Sequence, residues 1–454
     1  MSNNLTEKNK MGLWGIIFSI TGFVVGVSIF IVPGKLIIIA GPAVILAYAI
    51  AGGMAILNCF VAAQIGTILP AEGGSFVAIT RLISPFFGFM MVWVLLVAVI
   101  VANAFLAYGF AEYFVYFTPD ISKKAIALGA IVFFAIINIL GSTVVVRFQG
   151  VLVVVFLLTL AIFVISGVPH FDSDNLHPFM PNGFDSVYLA ATMAYFSFGG
   201  FVLLLEIGGE IKNPSRNVPL GLGISFLIVM VTYISVSLIL TGTDVDVDYA
   251  TAVTPVLEVA KTTLPGWLVD ALVISIVAAA GTTINSLILG YSRDILVLSK
   301  AKIFPEFLSH ISNRFGTPVN SILAFTILSI LAVLIGTRIE DFIIITVIGL
   351  MIQQMFLSVC LVRIPSLLGK EYENAKFKLS KPVIYGVSIL LFIISAMFIL
   401  INIKENLVIV LFMAGILGAG ILYYMLVSKY WSKRNVSIRE SSLKLVQELE
   451  KHYD

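Results

Sequence analysis

The amino-acid sequence predicts an all-α polytopic membrane protein with about twelve transmembrane helices. Hydrophobic residues make up 59% of the chain and charged residues only 11%, whereas soluble domains carry about 25% charged residues. The hydrophobic residues are also gathered into runs of roughly 20 residues or more, the length of a membrane-spanning helix. The lipid bilayer is therefore the expected surroundings of most of the chain.

Hydropathy predicts spans that follow one another with short connections, which leaves no room for a large soluble domain. We expect a tail at 1–11, a transmembrane domain at 12–429 and a second tail at 430–454. The predicted spans are Gly12 to Ile39, Pro42 to Ile65, Phe86 to Phe117, Lys124 to Leu140, Phe148 to Val168, Phe184 to Glu210, Pro219 to Gly242, Trp267 to Leu298, Val319 to Gly336, Ile339 to Val362, Pro382 to Ile403 and Leu407 to Lys429.

The distribution of basic residues predicts the orientation of the chain. An even number of spans places both termini on one side, and most Lys and Arg residues fall on that side. Because cytoplasmic loops are enriched in Lys and Arg, we expect both termini to be cytoplasmic and the chain to be integral to the cytoplasmic membrane. The second tail alternates charged and apolar residues from Val436 to Lys451, which predicts an amphipathic helix at the membrane surface.

Several function classes find no support in the sequence. The 27 basic and 25 acidic residues nearly balance, which gives no reason to expect a nucleic-acid partner. The four histidines form no cluster with metal-ligand spacing, and there is no Walker A pattern or nucleophile elbow. Cys59 and Cys360 lie within apolar runs and are expected to be packing residues. We therefore expect no enzyme, metal or cofactor.

Two predicted spans contain glycines near their centres. The first has Gly22 and Gly26 followed by Ser28, and the sixth has the adjacent pair Gly199 and Gly200. These spans would begin two five-helix halves, and interruptions at corresponding positions of two halves indicate a transporter site near the middle of the membrane. The alternative is that the glycines only allow close helix packing.

Helix direction predicts what the interruptions bind. The first span runs outward, so the half after Ser28 would point free N–H groups at the interruption, where they favour a carboxylate. The sixth span runs inward, so the half that ends near Phe198 would present free carbonyl groups to an ammonium. Together the two interruptions predict a binding site for an α-amino acid.

Five motifs in order along the chain resemble those of the amino acid–polyamine–organocation superfamily of permeases. The resemblance implies a LeuT-like fold, with a five-plus-five inverted repeat, two further helices, and helices 1 and 6 broken. The motifs are Gly22 to Phe30 with Pro33-Gly34, Ala40 to Ala43, Leu69 to Phe76, Lys212 to Pro219 and Phe315 to Pro318.

The resemblance also implies positions for substrate-binding residues. The carboxylate site corresponds to Val24, Gly26, Val27 and Ser28, and the amine site corresponds to Phe196, Ser197, Phe198 and Gly199. Phe196 takes the place of an aromatic gate. Asn103 and, one helical turn earlier, Ala98 match substrate-facing positions of the arginine/agmatine antiporter branch. Polar residues of the eighth span are further candidates for the cavity wall, namely Thr282, Thr283, Asn285 and Ser286.

The sequence also departs from the family pattern. Ser28 replaces a usual glycine, Val202 and Gln64 stand where many members have an acid, and the fifth span has no Lys from Gly150 to Ile165. The lost acids weaken the case for a cationic substrate. They also weaken the case for carrying over a proton-coupling residue from relatives.

Glu206 is the clearest ionisable candidate inside a span. A carboxylate within the membrane is costly, so a functional role is the default hypothesis. It lies six residues after Gly200, about 9 Å toward the cytoplasm at 1.5 Å per residue, and is a candidate for ion coupling. The alternative is a solvated glutamate, or one paired with an arginine.

The sequence thus predicts a secondary active transporter that moves an amino acid by alternating access, coupled to H⁺ or Na⁺ or operating as an exchanger. The apolar side chains of Val24, Val27, Phe196 and Phe198 favour a neutral or apolar amino acid. The alternatives are a polyamine or basic amino acid antiporter, and a nutrient sensor that uses the same pocket without transport.

Overall fold

The computed structural model describes residues 11–26, 28–71, 73–140, 143–206, 208, 211–245, 247, 249, 254–336, 339–405 and 407–451. Within them the regular structure is helical, apart from two isolated bridges that pair Met11 with Ile211 and Phe171 with Thr243. Ten helices of this part of the chain are long and apolar enough to cross a membrane. The prediction of an all-α polytopic membrane protein is confirmed.

The helices begin and end close to the predicted span limits. Three short helices outside the spans were not predicted, because hydropathy identifies only long apolar runs. They are α4, α11 and α15. The α-helices are α1 (Leu13–Val25), α2 (Ser28–Ala40), α3 (Val44–Ile68), α4 (Gly74–Leu82), α5 (Pro85–Phe114), α6 (Lys123–Leu140), α7 (Thr143–Gly167), α8 (Gly183–Ala194), α9 (Leu203–Glu206), α10 (Pro214–Gly242), α11 (Pro255–Thr263), α12 (Gly266–Lys300), α13 (Val319–Ile335), α14 (Ile339–Leu367), α15 (Gly369–Asn374), α16 (Lys381–Glu405), α17 (Leu407–Ser432) and α18 (Ile438–Lys451).

The first and sixth predicted spans are each built from more than one helical segment. Helix α1 ends at Val25, and α2 begins at Ser28 after Gly26, whose φ of 37° favours glycine. Helices α8 and α9 are joined by the 3₁₀ helix Tyr195–Val202. A 3₁₀ segment is narrower than an α-helix and interrupts its i→i+4 hydrogen bonds. Both irregular segments lie inside the bundle.

Burial separates the inner helices from the outer ones. In the most apolar window of the segment 183–206, 83% of the residues are buried, and in those of α5 and α12 the value is 78%. The corresponding fraction is 28% for the segment 150–170 and 17% for α17, whose exposed apolar side chains suit contact with lipid. The irregular segments and the long helices α5 and α12 therefore form the centre.

The C-terminal helices are attached to this centre from outside. Trp93 of α5 donates a hydrogen bond from its indole N–H to the carbonyl of Ile416 in α17, at 2.9 Å. Helix α18 packs against α4 and α5 and buries Ile438 and Val446. The predicted amphipathic helix is thus present, and it marks one end of the bundle, which we call the α18 side.

Two adjacent glycines of α3 provide a matched test of the packing. A Cβ atom at Gly52 would overlap the side chain of Met230 in α10, whereas one at Gly53 would meet nothing within 4 Å. Gly52→Leu should lower the free energy of unfolding by about 1–3 kcal/mol through overpacking. Gly53→Leu should not lower it, because the new side chain points out of the bundle. Thermal unfolding of both purified variants measures the difference, and equal destabilisation would contradict the described α3–α10 contact.

Candidate functional site

A cavity lies where the two irregular segments meet. It encloses about 480 Å³ of empty space, including the part open at its mouth. No charged side chain is among its lining residues in the described part of the chain, although it contains hydroxyl groups and exposed backbone. The lining residues are Phe23, Val24, Gly26, Ser28, Val99, Ala102, Leu106, Phe196, Gly199, Gly200, Thr283, Leu287, Tyr291, Thr346 and Leu350.

Gly26 forms the first side of the cavity. A Cβ atom there would overlap the hydroxyl of Thr283 in α12, so only glycine permits this approach. Thr283 itself donates a hydrogen bond to the carbonyl of Gly22, at 3.3 Å. Helix α2 starts at Ser28, and the first N–H groups of a helix lack intrahelical partners. The cavity therefore borders a helix N-terminus. Val27 lies outside the described residues.

The 3₁₀ segment forms the opposite side. A Cβ atom at Gly199 would lie 2.6 Å from Leu350 Cδ1, and one at Gly200 would overlap Phe23 and lie 2.7 Å from Val24 Cγ2. The glycine pair therefore lets the backbone approach α14 on one side and α1 on the other. Because glycine carries no side chain, the peptide groups here come close to the cavity.

Tyr233 of α10 connects the two irregular segments. Its hydroxyl lies 2.7 Å from Ser28 Oγ, 3.1 Å from the carbonyl of Val24 and 3.3 Å from the carbonyl of Ser197. The side chain is fully buried, and its ring stacks on Tyr48 of α3 at 4.9 Å between centroids. One hydroxyl thus contacts backbone carbonyl groups of both irregular segments. Tyr233 is not among the residues predicted from the sequence, although a tyrosine within an aliphatic span was a signal for it.

The remaining walls come from uninterrupted helices. Helix α5 contributes Val99, Ala102 and Leu106. The other two helices contribute Thr283, Leu287 and Tyr291 from α12 and Thr346 and Leu350 from α14. Phe196 packs edge-on against Phe105 of α5, with 4.8 Å between ring centroids. The sequence could not identify the α5 and α14 positions, because apolar residues surround both helices and their periodicity does not show which face points inward.

Five of the ten candidate substrate-binding residues line the cavity: Val24, Gly26, Ser28, Phe196 and Gly199. Asn103 is buried elsewhere, where its amide donates a hydrogen bond to Ser329 Oγ of α13 at 3.1 Å. The carbonyl of Ala98 accepts one from Thr346 at 3.1 Å, so this residue contacts α14 rather than the cavity.

Ser197 and Phe198 stand behind the cavity instead of lining it. The ring of Phe198 packs against Tyr48 and Tyr233, at 6.3 and 5.4 Å between centroids. Of the four candidate residues of α12, Thr282, Thr283, Asn285 and Ser286, only Thr283 lines the cavity. Asn285 instead accepts a hydrogen bond from Asn138 of α6 at 2.7 Å, so its polar group joins two helices.

Glu206 ends α9, outside the cavity on the α18 side. Its side chain is fully buried, so it is not a solvated glutamate. One carboxyl oxygen accepts a hydrogen bond from the backbone N–H of Ser75 at 3.4 Å. The other has no hydrogen-bond partner within the described residues. A second acidic residue, Asp294 of α12, lies beside it.

Interrupted helices around a largely apolar cavity define a helical membrane protein of the kind in which transporters bind small molecules inside the bundle. Residues 11–433 match the model of the amino acid permease family, AA_permease_2. The chain belongs to this family, as the motifs in the sequence predict.

Individual relatives are similar over part of their length. The chain is 27% identical to cationic amino acid transporter 5 of Arabidopsis thaliana, over 63% of this chain and 53% of that protein. It is 24% identical to the branched-chain amino acid permease BcaP of Bacillus subtilis, over 60% of this chain and 63% of BcaP. It is 25% identical to the serine/threonine exchanger SteT of Bacillus subtilis, over 60% and 64%. Each match spans less than two thirds of the relative.

The hydroxyl of Tyr233 provides a test of how the interruptions are held. Tyr233→Phe leaves the buried carbonyl of Val24 and the hydroxyl of Ser28 without this partner, which costs about 1–3 kcal/mol. We expect a lower unfolding temperature for this variant in detergent. The control is Tyr385→Phe, which removes a hydroxyl from an exposed side chain of α16. If both variants unfold at the temperature of the unmodified protein, the bridge does not stabilise the interruptions.

Proposed function

We propose that the protein is a secondary active transporter that moves an amino acid across the cytoplasmic membrane by alternating access. The observation that carries this proposal is the cavity between the two irregular segments, where backbone groups and apolar side chains face one small volume. Membership of the amino acid permease family supports it, as do relatives named as amino acid transporters, permeases and exchangers.

The backbone would hold the parts that all α-amino acids share. The N-terminal end of α2, near Gly26 and Ser28, favours the carboxylate through its N–H groups and helix dipole. The 3₁₀ segment around Phe196 and Gly199 brings carbonyl oxygens close to the cavity, and these suit the ammonium. The substrate would therefore lie with its two charged groups between the interruptions and its side chain toward α5 and α14.

The side-chain part of the cavity favours a neutral, apolar substrate. Val99, Ala102 and Leu106 face it from α5, and Leu287 and Leu350 face it from α12 and α14. A cationic side chain placed there would lose its hydration, which is costly without an opposite charge or a set of hydrogen bonds. An aliphatic side chain would instead gain from leaving water.

We also propose how the chain is oriented in the membrane and where its transporter domain begins and ends. We place the α18 side in the cytoplasm, with residues 12–429 as the transporter domain and helices 1–5 and 6–10 of the family fold as its two repeats. The tail at 430–454 would then hold α18 on the cytoplasmic face. Of the N-terminal tail at 1–11, only residue 11 belongs to the described part.

Blocking the cavity should abolish uptake. Ala102→Phe places a ring in the cavity, and Gly199→Leu forces the 3₁₀ segment away from Leu350. We expect both variants to lose saturable uptake in proteoliposomes. Ala161→Phe, at an exposed position of α7, and Gly53→Leu should retain it. Size-exclusion profiles check that all four fold, and uptake retained by both well-folded cavity variants would refute the site.

A substrate panel separates the remaining possibilities. Proteoliposomes loaded with one unlabelled compound at a time should exchange it for external radiolabelled leucine, and leucine or valine should drive the fastest exchange because the cavity is apolar. Arginine and polyamines should drive the slowest. Stronger exchange with arginine or a polyamine would identify an antiporter of basic substrates. Ligand-dependent thermal stabilisation without any flux would identify a sensor. Repeating the assay with and without Na⁺ and a pH gradient tests the coupling ion.

A further inference from the structure

Two buried carboxyl groups lie next to each other on the α18 side of the cavity. Glu206 at the end of α9 is 0% exposed and Asp294 of α12 is 1% exposed. Their carboxyl groups are within hydrogen-bonding reach of each other. Tyr291, one helical turn before Asp294, lines the cavity. The pair is thus outside the substrate cavity but only one turn of α12 away from it.

The pair receives few hydrogen bonds. Glu206 accepts one from the N–H of Ser75, and the Ser75 hydroxyl is also within reach of the same carboxyl. The second Glu206 oxygen and both Asp294 oxygens have no partner among the described residues apart from each other. Gln353 of α14 donates to Ser75 Oγ at 3.2 Å, and its own carbonyl oxygen is likewise unpartnered. The described residues of this buried region thus leave more acceptors than donors.

Among the described residues, the side chains that interact with the pair carry no positive charge. Ser75 comes from α4 and Gln353 from α14, and Tyr291 is the titratable neighbour on α12. The guanidinium of Arg293, next to Asp294 in the chain, donates a hydrogen bond to the carbonyl of Leu289 at 3.1 Å. Two ionised carboxylates in contact and away from water are strongly unfavourable. A proton on one of them removes the repulsion and supplies the missing donor.

The pair is also part of a tight closure that we call the inner gate, formed by Gly73, Gly74, Leu205, Glu206, Asp294 and Val297. The N–H of Gly73 donates to the carbonyl of Glu206 at 3.2 Å. A Cβ atom at Gly73, whose φ is 63°, would lie 3.7 Å from Asp294 Oδ1. A Cβ atom at Gly74 would overlap the carbonyl of Leu205. The loop before α4, the end of α9 and α12 therefore meet at the two carboxyl groups.

We propose that Glu206 and Asp294 bind one proton between them, and that this proton stabilises the closed inner gate. Opening the gate would separate α9 from α12 and admit water, so that both carboxylates ionise and the proton passes to water on the α18 side. Acidic solution would then favour the closed gate and alkaline solution the open one. As a control of alternating access the inference rests on the proposed transport function, whereas proton binding itself does not.

Infrared spectroscopy of the full-length protein in lipid nanodiscs tests the proton directly. The unmodified protein should show a carboxylic C=O band that disappears as the pH is raised. The band should be absent from the double variant Glu206→Gln/Asp294→Asn, and it should move in frequency in each single variant.

Glu373→Gln is the control. Glu373 is exposed, and its ion pair with Lys378 lowers the pKa of its carboxyl group, so it contributes no such band near neutral pH. A band retained by the double variant, or a band that Na⁺ removes at constant acidic pH, overturns the proposal.

Cysteine labelling tests the gate. Ala71, two residues before Gly73 of the inner gate, is 2% exposed, and a maleimide should reach Ala71→Cys only when the gate opens. Its labelling rate, divided by that of the exposed reference Ser432→Cys, should rise with pH by up to about tenfold per pH unit, the limit for one proton. In the background of the double variant the ratio should be independent of pH. An unchanged pH dependence there overturns the gate, and neither readout needs substrate flux, so a failure of transport remains distinguishable.

Discussion

The structure depends on one constraint, that a backbone polar group within a bilayer needs a partner supplied by the protein itself. Helices that face lipid meet this constraint internally and are continuous, as α7 and α17 are. The interruption after Val25 and the 3₁₀ segment at Tyr195–Val202 leave some backbone groups without helical partners. Both are therefore placed at the centre of the bundle, where neighbouring helices cover them. The same arrangement leaves polar backbone beside an apolar cavity, which suits a zwitterion with an apolar side chain.

The two interruptions are held in different ways. Side chains contribute directly at the first, where Thr283 and Tyr233 contact carbonyl groups of α1. At the second, the absence of side chains matters most, because the glycine pair allows contact with α1 and α14. Tyr233 reaches both, so a change in their separation must alter its hydrogen bonds. A movement of α10 would therefore change the contacts of Tyr233 with both irregular segments.

Composition and periodicity predicted the fold class and most helix limits, because the bilayer imposes one length and one polarity on every span. Glycine pairs and loop motifs predicted where the helices are irregular and which family the chain belongs to. None of these patterns predicts which side chains point into the cavity. Asn103 matched a substrate-facing position by spacing but contacts Ser329, whereas Leu350 lines the cavity from a span with no distinctive residue. Glu206 was identified as unusual, but its neighbour Asp294 was not, since the pairing of α9 with α12 arises only from tertiary packing.

The division of the cavity between irregular backbone and regular helices has a consequence for how such proteins diversify. Residues at the interruptions are constrained by steric contacts, since a side chain at Gly26 or Gly200 collides with its neighbours. Val99, Ala102 and Leu106 lie on an intact helix, where one side chain is exchanged for another without disturbing hydrogen bonds of the main chain. In the proposed binding mode, point substitutions on α5 would change the accepted side chain while the amino acid head group keeps its place.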